Sequence, residues 1–211
     1  MYSNIDYKSI DKTFIAMYGG SFNPIHNGHI QLAKYFLNTL SLDKLLLIPD
    51  NKPPHKSDKA MISARHRFNM CKLAVNNINN IEVSDIEIKR KGKSYTVDTL
   101  RQLNVIYPDA QLFLIMGADM FLSLHTWKNF EEIFSRAIIC AVPRDNDSID
   151  ELISYSKSME CCNIRVIIAE EFMMNVSSTI IRGNVANSVP ITDMVSKEVE
   201  EYIYKNRLYT E

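Results

Sequence analysis

A chain of 211 residues, 46% hydrophobic and 23% charged, can bury a substantial core and suits one domain with at most a small appendage. A formal net charge of -1 argues against a broad basic surface for duplex DNA, so no nucleic-acid partner is expected. No apolar run approaches the ~18–20 residues that a membrane span requires, residues 1–12 do not read as a secretion signal, and Cys71, Cys140, Cys161 and Cys162 lack a paired metal spacing. The expectation is no membrane contact and a reducing, cytoplasmic location.

In chain order, residues 1–12 read as a short N-terminal extension with no assigned function. Apolar runs predict strands over 14–18, 44–49, 81–88, 111–116, 137–142 and 164–168. Between and after them, helical spacing predicts helices over 28–40, 63–76, 96–107, 130–135, 148–159, 178–183 and 192–205. Most strands are continuous apolar runs, as expected when helices cover both sheet faces. This alternation implies an α/β, Rossmann-like fold: a doubly wound, mostly parallel sheet over 13–211 as a single domain. The polar stretches 76–80 and 144–148 read as turns, not linkers, and the last helix carries Met194, Val195, Val199, Tyr202 and Ile203 on a core-facing side.

The first strand runs into Gly19-Gly20-Ser21-Phe22-Asn23-Pro24-Ile25-His26-Asn27-Gly28-His29, and a helix follows at once. Two glycines allow a sharp turn and close approach to a ligand, and Asn23 and Pro24 suit the turn itself. A helix start supplies N–H groups and a positive dipole end, both favourable to phosphate. Taken bare, His26 and His29 could equally satisfy neighbouring groups or begin a metal site. A third nearby ligand for a metal is missing, and the strand and glycine turn before them favour phosphate.

His-x-Gly-His after Gly-Gly-x-Phe-x-Pro resembles the signature of the nucleotidyltransferase superfamily, and the whole chain resembles bacterial nicotinate-nucleotide adenylyltransferases. Four further blocks carry the narrower resemblance: 48–56 with Pro53-Pro54-His55-Lys56, Lys93-Ser94-Tyr95-Thr96, Met116-Gly117-Ala118-Asp119 with Trp127 downstream, and Val176-Ser177-Ser178-Thr179-x-x-Arg182. They occur in the family's order. The family usually carries Thr and Asp where this chain has Ser21 and Asn23: serine keeps the hydroxyl, whereas asparagine removes a charge.

The resemblance implies transfer of AMP from ATP to nicotinate mononucleotide, giving deamido-NAD and pyrophosphate. Under it, His26 and His29 are catalytic and contact the ATP phosphates, with His29 serving the transition state. Gly19, Gly20, Ser21, Gly28, His55 and Lys56 join them in binding ATP, as do Ser177, Ser178, Thr179 and Arg182 at a second helix start. Capping of that helix by its hydroxyl residues is compatible with binding, and His55-Lys56 would otherwise be a solvated turn. Tyr95, Thr96, Asp119, Trp127 and the Lys128 amide are implied on the acceptor side, where a lone Trp is otherwise read as core. His66 and His125 sit in no block. Magnesium is expected with the triphosphate and not in a protein cage, and a homo-oligomer stays open. Spacing alone leaves open a nicotinamide mononucleotide or phosphopantetheine acceptor, and a non-catalytic nucleotide sensor; a dinucleotide-binding dehydrogenase lacks its Gly-x-Gly-x-x-Gly at the first turn.

Overall fold

The computed structural model describes residues 1–53, 61–143, 148–169 and 176–210. Strand β2 (Thr13–Gly20) pairs in parallel with β3 (Lys44–Pro49) on one side and β5 (Ala110–Gly117) on the other. Beyond β3 lies β4 (Ile81–Val83), and beyond β5 lie β6 (Ala137–Val142) and β7 (Val166–Ile168), all parallel. With β1 (Tyr2–Ser3) at one edge, the sheet among the described residues has seven strands in the order β1-β7-β6-β5-β2-β3-β4. The chain winds outward from β2 to β4, then crosses back to β5 and winds the other way. That reversal opens a crevice at the carboxyl ends of β2 and β5, the switch point at which such sheets bind ligands.

Both faces are buried, which explains the unbroken apolar strands. Along β2, Ala16 and Tyr18 join one core while Ile15 and Met17 join the other, so the strand period of two persists inside an all-apolar run. The first core is closed by α1 (Asn27–Thr39), α2 (Ala64–Val75), α8 (Ser178–Ala186) and α9 (Lys197–Lys205), through Phe36, Met70, Ile181 and Ile203. The second is closed by α4 (Thr96–Ile106), α6 (Phe130–Arg136) and α7 (Ser148–Ser158), through Leu100, Phe134 and Leu152.

The strand expected over 81–88 ends at Val83, and α3 (Ile86–Arg90) takes its second half. Ser84 marks the change: its Oγ accepts from the Ile86 N–H at 3.4 Å, and the backbone ladder of α3 opens with Lys89 N–H donating to the Asp85 carbonyl at 2.8 Å. Such local bonds compete with a ladder, and they turn Glu87 inward. The last helix begins at Lys197, not 192, because Ser196 caps it by accepting from the Val199 N–H. A short helix, α5 (Ala118–Leu122), was not expected. The turn expected over 144–148 lies, for its first four residues, outside the described residues. No helix among the described residues is long and apolar enough to cross a membrane.

The N-terminal residues do structural work. Strand β1 (Tyr2–Ser3) pairs antiparallel with β7, and Tyr7 is buried with its ring edge-on to Phe113 at 6.3 Å. Asn4 prolongs the ladder with its side chain: Nδ2 donates to Ile164 O at 2.8 Å and Oδ1 accepts from Val166 N–H at 2.9 Å. Replacing Asn4 by Ala removes both bonds and should cost about 2 kcal/mol, at about 1 kcal/mol net for each, and speed hydrogen exchange at the Val166 amide. Unchanged exchange there would show that the edge does not rely on this clip.

Candidate active site

A cavity of about 650 Å³ occupies the switch point, within the size range of small-molecule sites. Gly19 and Gly20 at the end of β2, Asp50 after β3 and Gly117 at the end of β5 wall it. At Gly20 the missing side chain matters, because a Cβ would lie 3.0 Å from the Phe22 ring. Phe22 itself has φ of 46°, in the left-handed region, so the turn reverses abruptly and aims the following residues across the cavity mouth.

A buried guanidinium holds this turn. Arg67 of α2 is 1% exposed; Nη1 donates to Ser21 O at 2.6 Å and Nη2 to Asp50 O at 2.7 Å. Its Nη1 also lies 3.0 Å from Asp50 Oδ1, while Asp50 Oδ2 accepts from the Ser21 hydroxyl at 2.7 Å. The ends of β2 and β3 are thereby tied to one charge. Removing one partner of a pair this buried typically costs about 3–5 kcal/mol, because the other charge is left without compensation.

His26 and His29 occupy different layers. His26 is the N-cap of α1, 3% exposed, and does not line the cavity. His29 does line it, and its ring stacks on that of His26 with centroids 3.7 Å apart and planes at 28°. The His26 backbone N–H donates to His29 Nδ1 at 3.3 Å. With Nδ1 acting as acceptor, the neutral ring carries its proton on Nε2, so His29 offers a donor on its other edge. Burial pushes the His26 pKa down to about 4, which keeps the supporting ring neutral beneath it. At the helix start, Asn27 N–H is taken by Met194 O at 2.8 Å and His29 N–H by His26 O at 2.9 Å. Those two amides are therefore already engaged.

Across from the glycine turn, α8 brings Ser178, Thr179 and Arg182 to the wall. Ser178 Oγ donates to Pro24 O at 2.8 Å, and Arg182 Nη1 donates to Asn23 O at 2.8 Å, so this helix start is pinned to the turn. Arg182 Nη2 reaches Thr179 Oγ1 at 3.3 Å, the same-face contact that their spacing implies. Ser177 stands apart: it caps α8 by accepting from Ile180 N–H and does not line the cavity. Gly28, buried within α1, does not line it either. His55 and Lys56 lie outside the described residues.

The far end of the cavity is formed by Tyr95, Thr96, Trp127 and Lys128. Trp127 is half-buried, its ring packed against the second core. Lys128 Nζ sits 4.5 Å over the Tyr95 ring and 3.0 Å from Asp98 Oδ2. Asp119 is exposed on α5 and does not line the cavity, although its neighbours Gly117 and Met120 do. The geometry thus offers hydroxyls, an imidazole donor and a guanidinium around the turn, and Trp127 with a lysine-capped Tyr95 ring elsewhere on the lining.

A family model described as cytidylyltransferase-like matches residues 17–184. A Clostridium tetani protein named "Probable nicotinate-nucleotide adenylyltransferase" is 36% identical over 195 residues, which are 92% of this chain and 98% of that one. One of the same name from Fusobacterium nucleatum is 39% identical over 192 residues, 90% of this chain and 97% of its own. The chain belongs to the nicotinate-nucleotide adenylyltransferases. In fold it is similar to Plasmodium falciparum nicotinic acid mononucleotide adenylyltransferase complexed with NaAD, with a TM-score of 0.75 at 21% identity over 93% of this chain and 97% of that one.

Four residues in or beside this cavity are given no role by the sequence: Asp50, Arg67, Glu87 and Tyr209. Glu87 lines the cavity, 5% exposed, accepting from Thr99 Oγ1 at 2.6 Å. Burial raises its pKa, and the hydroxyls of Thr99 and Ser94 with Arg90 oppose that rise. An Ile-Glu-Ile run resembles an alternating strand with Glu outward, so periodicity hid it. Arg67, three and four residues before the buried Met70 and Cys71 on α2, gave one usable signal: a charge on a core-facing position.

The low pKa of His26 has a consequence for stability. Its folded-state value of about 4 lies below the ordinary 6.5, so the unfolded chain binds the extra proton first. Stability should be intact above about pH 6.5 and fall as pH drops toward 4, by at most ~1.4 kcal/mol per pH unit from this group. Urea denaturation at several pH values should show that slope in the native chain and a shallower one in His26→Gln. Equal slopes would remove His26 as the cause.

Proposed function

We infer that the chain carries out the reaction of its family, moving the adenylyl group of ATP onto nicotinate mononucleotide with release of pyrophosphate. The observation that carries this reading is the two-ended cavity at the switch point, with phosphate-binding chemistry around the glycine turn and an aromatic end at Tyr95 and Trp127. A phosphate oxygen of the mononucleotide attacks the α-phosphorus, the bond to the bridging oxygen breaks, and pyrophosphate leaves with that oxygen and its electrons. The nucleophile belongs to the substrate, so the protein's task is positioning and charge stabilisation.

In this reading the Nε2–H of His29 donates to the phosphate oxygens on which charge grows. It is held in place before the reaction by the His26 N–H and the stacked ring below, so little reorganisation is needed as the charge appears. Arg182 presents a permanent planar charge to the triphosphate beside the hydroxyls of Ser178 and Thr179. Trp127 and Tyr95 receive the pyridine ring, with Thr96 and Lys128 near its carboxylate. Magnesium enters as part of MgATP, with phosphate oxygens and water as its ligands. Asp50, a carboxylate in the wall, is already engaged by Arg67 and Ser21. We read residues 13–211, completed by the edge strand at Tyr2–Ser3 and the buried Tyr7, as one catalytic domain working in the cytoplasm.

Purified protein supplied with MgATP and nicotinate mononucleotide should release pyrophosphate, and His29→Ala should lose at least ~10²-fold in turnover, as for a lost electrostatic donor. A loss below about threefold would retire His29 from that role. Trp127→Ala should raise the dissociation constant for the mononucleotide while leaving that for ATP near its native value. Calorimetry showing unchanged mononucleotide affinity would contradict the acceptor assignment. Turnover with nicotinamide mononucleotide or phosphopantetheine in place of nicotinate mononucleotide would change the acceptor and leave the phosphate end as described.

A further inference from the structure

The C-terminal residues reach back to the turn that faces the nucleotide. Tyr209, beyond α9, donates from its phenol to Asn23 Oδ1 at 2.9 Å. The backbone carbonyl of the same Asn23 accepts from Arg182 Nη1 at 2.8 Å. Arg182 and Asn23 both line the cavity, so one residue joins the C-terminal segment to the cavity's guanidinium. Asn23 stands where the family usually has Asp. A neutral side chain cannot hold the guanidinium by charge; the contact is made by the peptide carbonyl, whose direction depends on how residue 23 is anchored.

That anchor is held firmly. Leu208 is buried, and its N–H donates to Ile203 O at 3.0 Å, closing the end of α9. Arg207 and Tyr209 have φ of 51° and 63°, left-handed values that residues with a Cβ adopt at a cost and keep where surrounding contacts impose them. Upstream, the Tyr202 hydroxyl bonds His66 Nδ1 at 2.9 Å and accepts from Asn69 Nδ2 at 3.0 Å. Both partners lie on α2, the helix that carries Arg67. Burial keeps the Tyr209 phenol protonated through the physiological range despite the nearby guanidiniums of Arg182 and Arg67, so it remains a donor.

We propose that Tyr209 is a positioning residue for ATP: through Asn23 it fixes the Arg182 guanidinium at the cavity wall, so that the C-terminal segment sets affinity for the triphosphate. The inference rests on the reading of Arg182 as a triphosphate contact. A structural role alone would weaken the whole fold and both ligands together. A positioning role weakens the nucleotide only, and only while Arg182 is present.

Calorimetry on the full chain with α,β-methylene-ATP and, separately, nicotinate mononucleotide tests this. Tyr209→Phe removes one hydroxyl and should weaken the nucleotide analogue about fivefold, the equivalent of one net hydrogen bond. Mononucleotide affinity should stay within about twofold, and in an Arg182→Lys background Tyr209→Phe should add less than about twofold, as coupled residues do. Native-like analogue affinity in Tyr209→Phe, equal weakening of both ligands, or the full effect persisting in the Arg182→Lys background would each overturn the proposal. Failure of the native chain to release pyrophosphate would fall on the catalytic reading alone, because the affinities decide the positioning.

Discussion

The hydrogen bond from the His26 backbone N–H to His29 Nδ1 decides which ring nitrogen faces the cavity, and the rest of the site is arranged around that choice. It exists because His26 caps α1 in an extended conformation, which points its amide toward a side chain three residues on. The plane of His29 is then set by its stack on His26 and by the edge-on Phe22 ring at 5.0 Å. A charged His26 would repel a protonated neighbour at that distance. Its burial removes the conflict by keeping it neutral, so the buried ring supports and the cavity-lining ring donates.

A second constraint fixes where that donor sits. The glycine turn, the end of β3 and α2 meet on Arg67, whose hydrogens go to carbonyls of residues that would otherwise be separate loops. Burying such a charge is tolerable because a carboxylate and several carbonyls surround it. From the other side, α8 is pinned to the same turn through Pro24 and Asn23. A chain with a formal charge of -1 thus gathers structural and ligand-facing cations around one bend. A site that must stabilise charge without protein nucleophiles needs this rigidity, since its contribution is the fixed placement of donors.

Much of the architecture was legible in the sequence because apolar runs and helical spacing report directly on burial. The strands at 44–49 and 137–142 appear with those limits, and the order of elements implies the switch point. Legibility failed where a local polar contact overrode the pattern. A bond to the Ser84 hydroxyl marks where an apparent strand breaks, and Glu87 became an inward carboxylate in place of an outward one. At the site, motif spacing located the turn and both helix starts, and the resemblance singled out His29, but neither carried the layering of the two histidines, which depends on a ring stack. Ser177 and Asp119 share a motif with cavity residues, yet one caps a helix and the other faces outward. Arg67 lies 46 residues from Ser21 and Tyr209 lies 186 residues from Asn23, and only folding brings each pair together.

The tautomer of His29 is the most direct test of this account. Long-range ¹H–¹⁵N spectra of ¹⁵N-histidine-labelled protein at about pH 8, above the ordinary imidazole range, separate the two neutral forms. The account predicts a His29 proton on Nε2, with Nδ1 unprotonated and hydrogen-bonded, and a further shift of the Nε2 resonance when MgATP is added. A His29 proton on Nδ1 would contradict it, since that ring would turn an acceptor toward the phosphates and could not stabilise the departing charge.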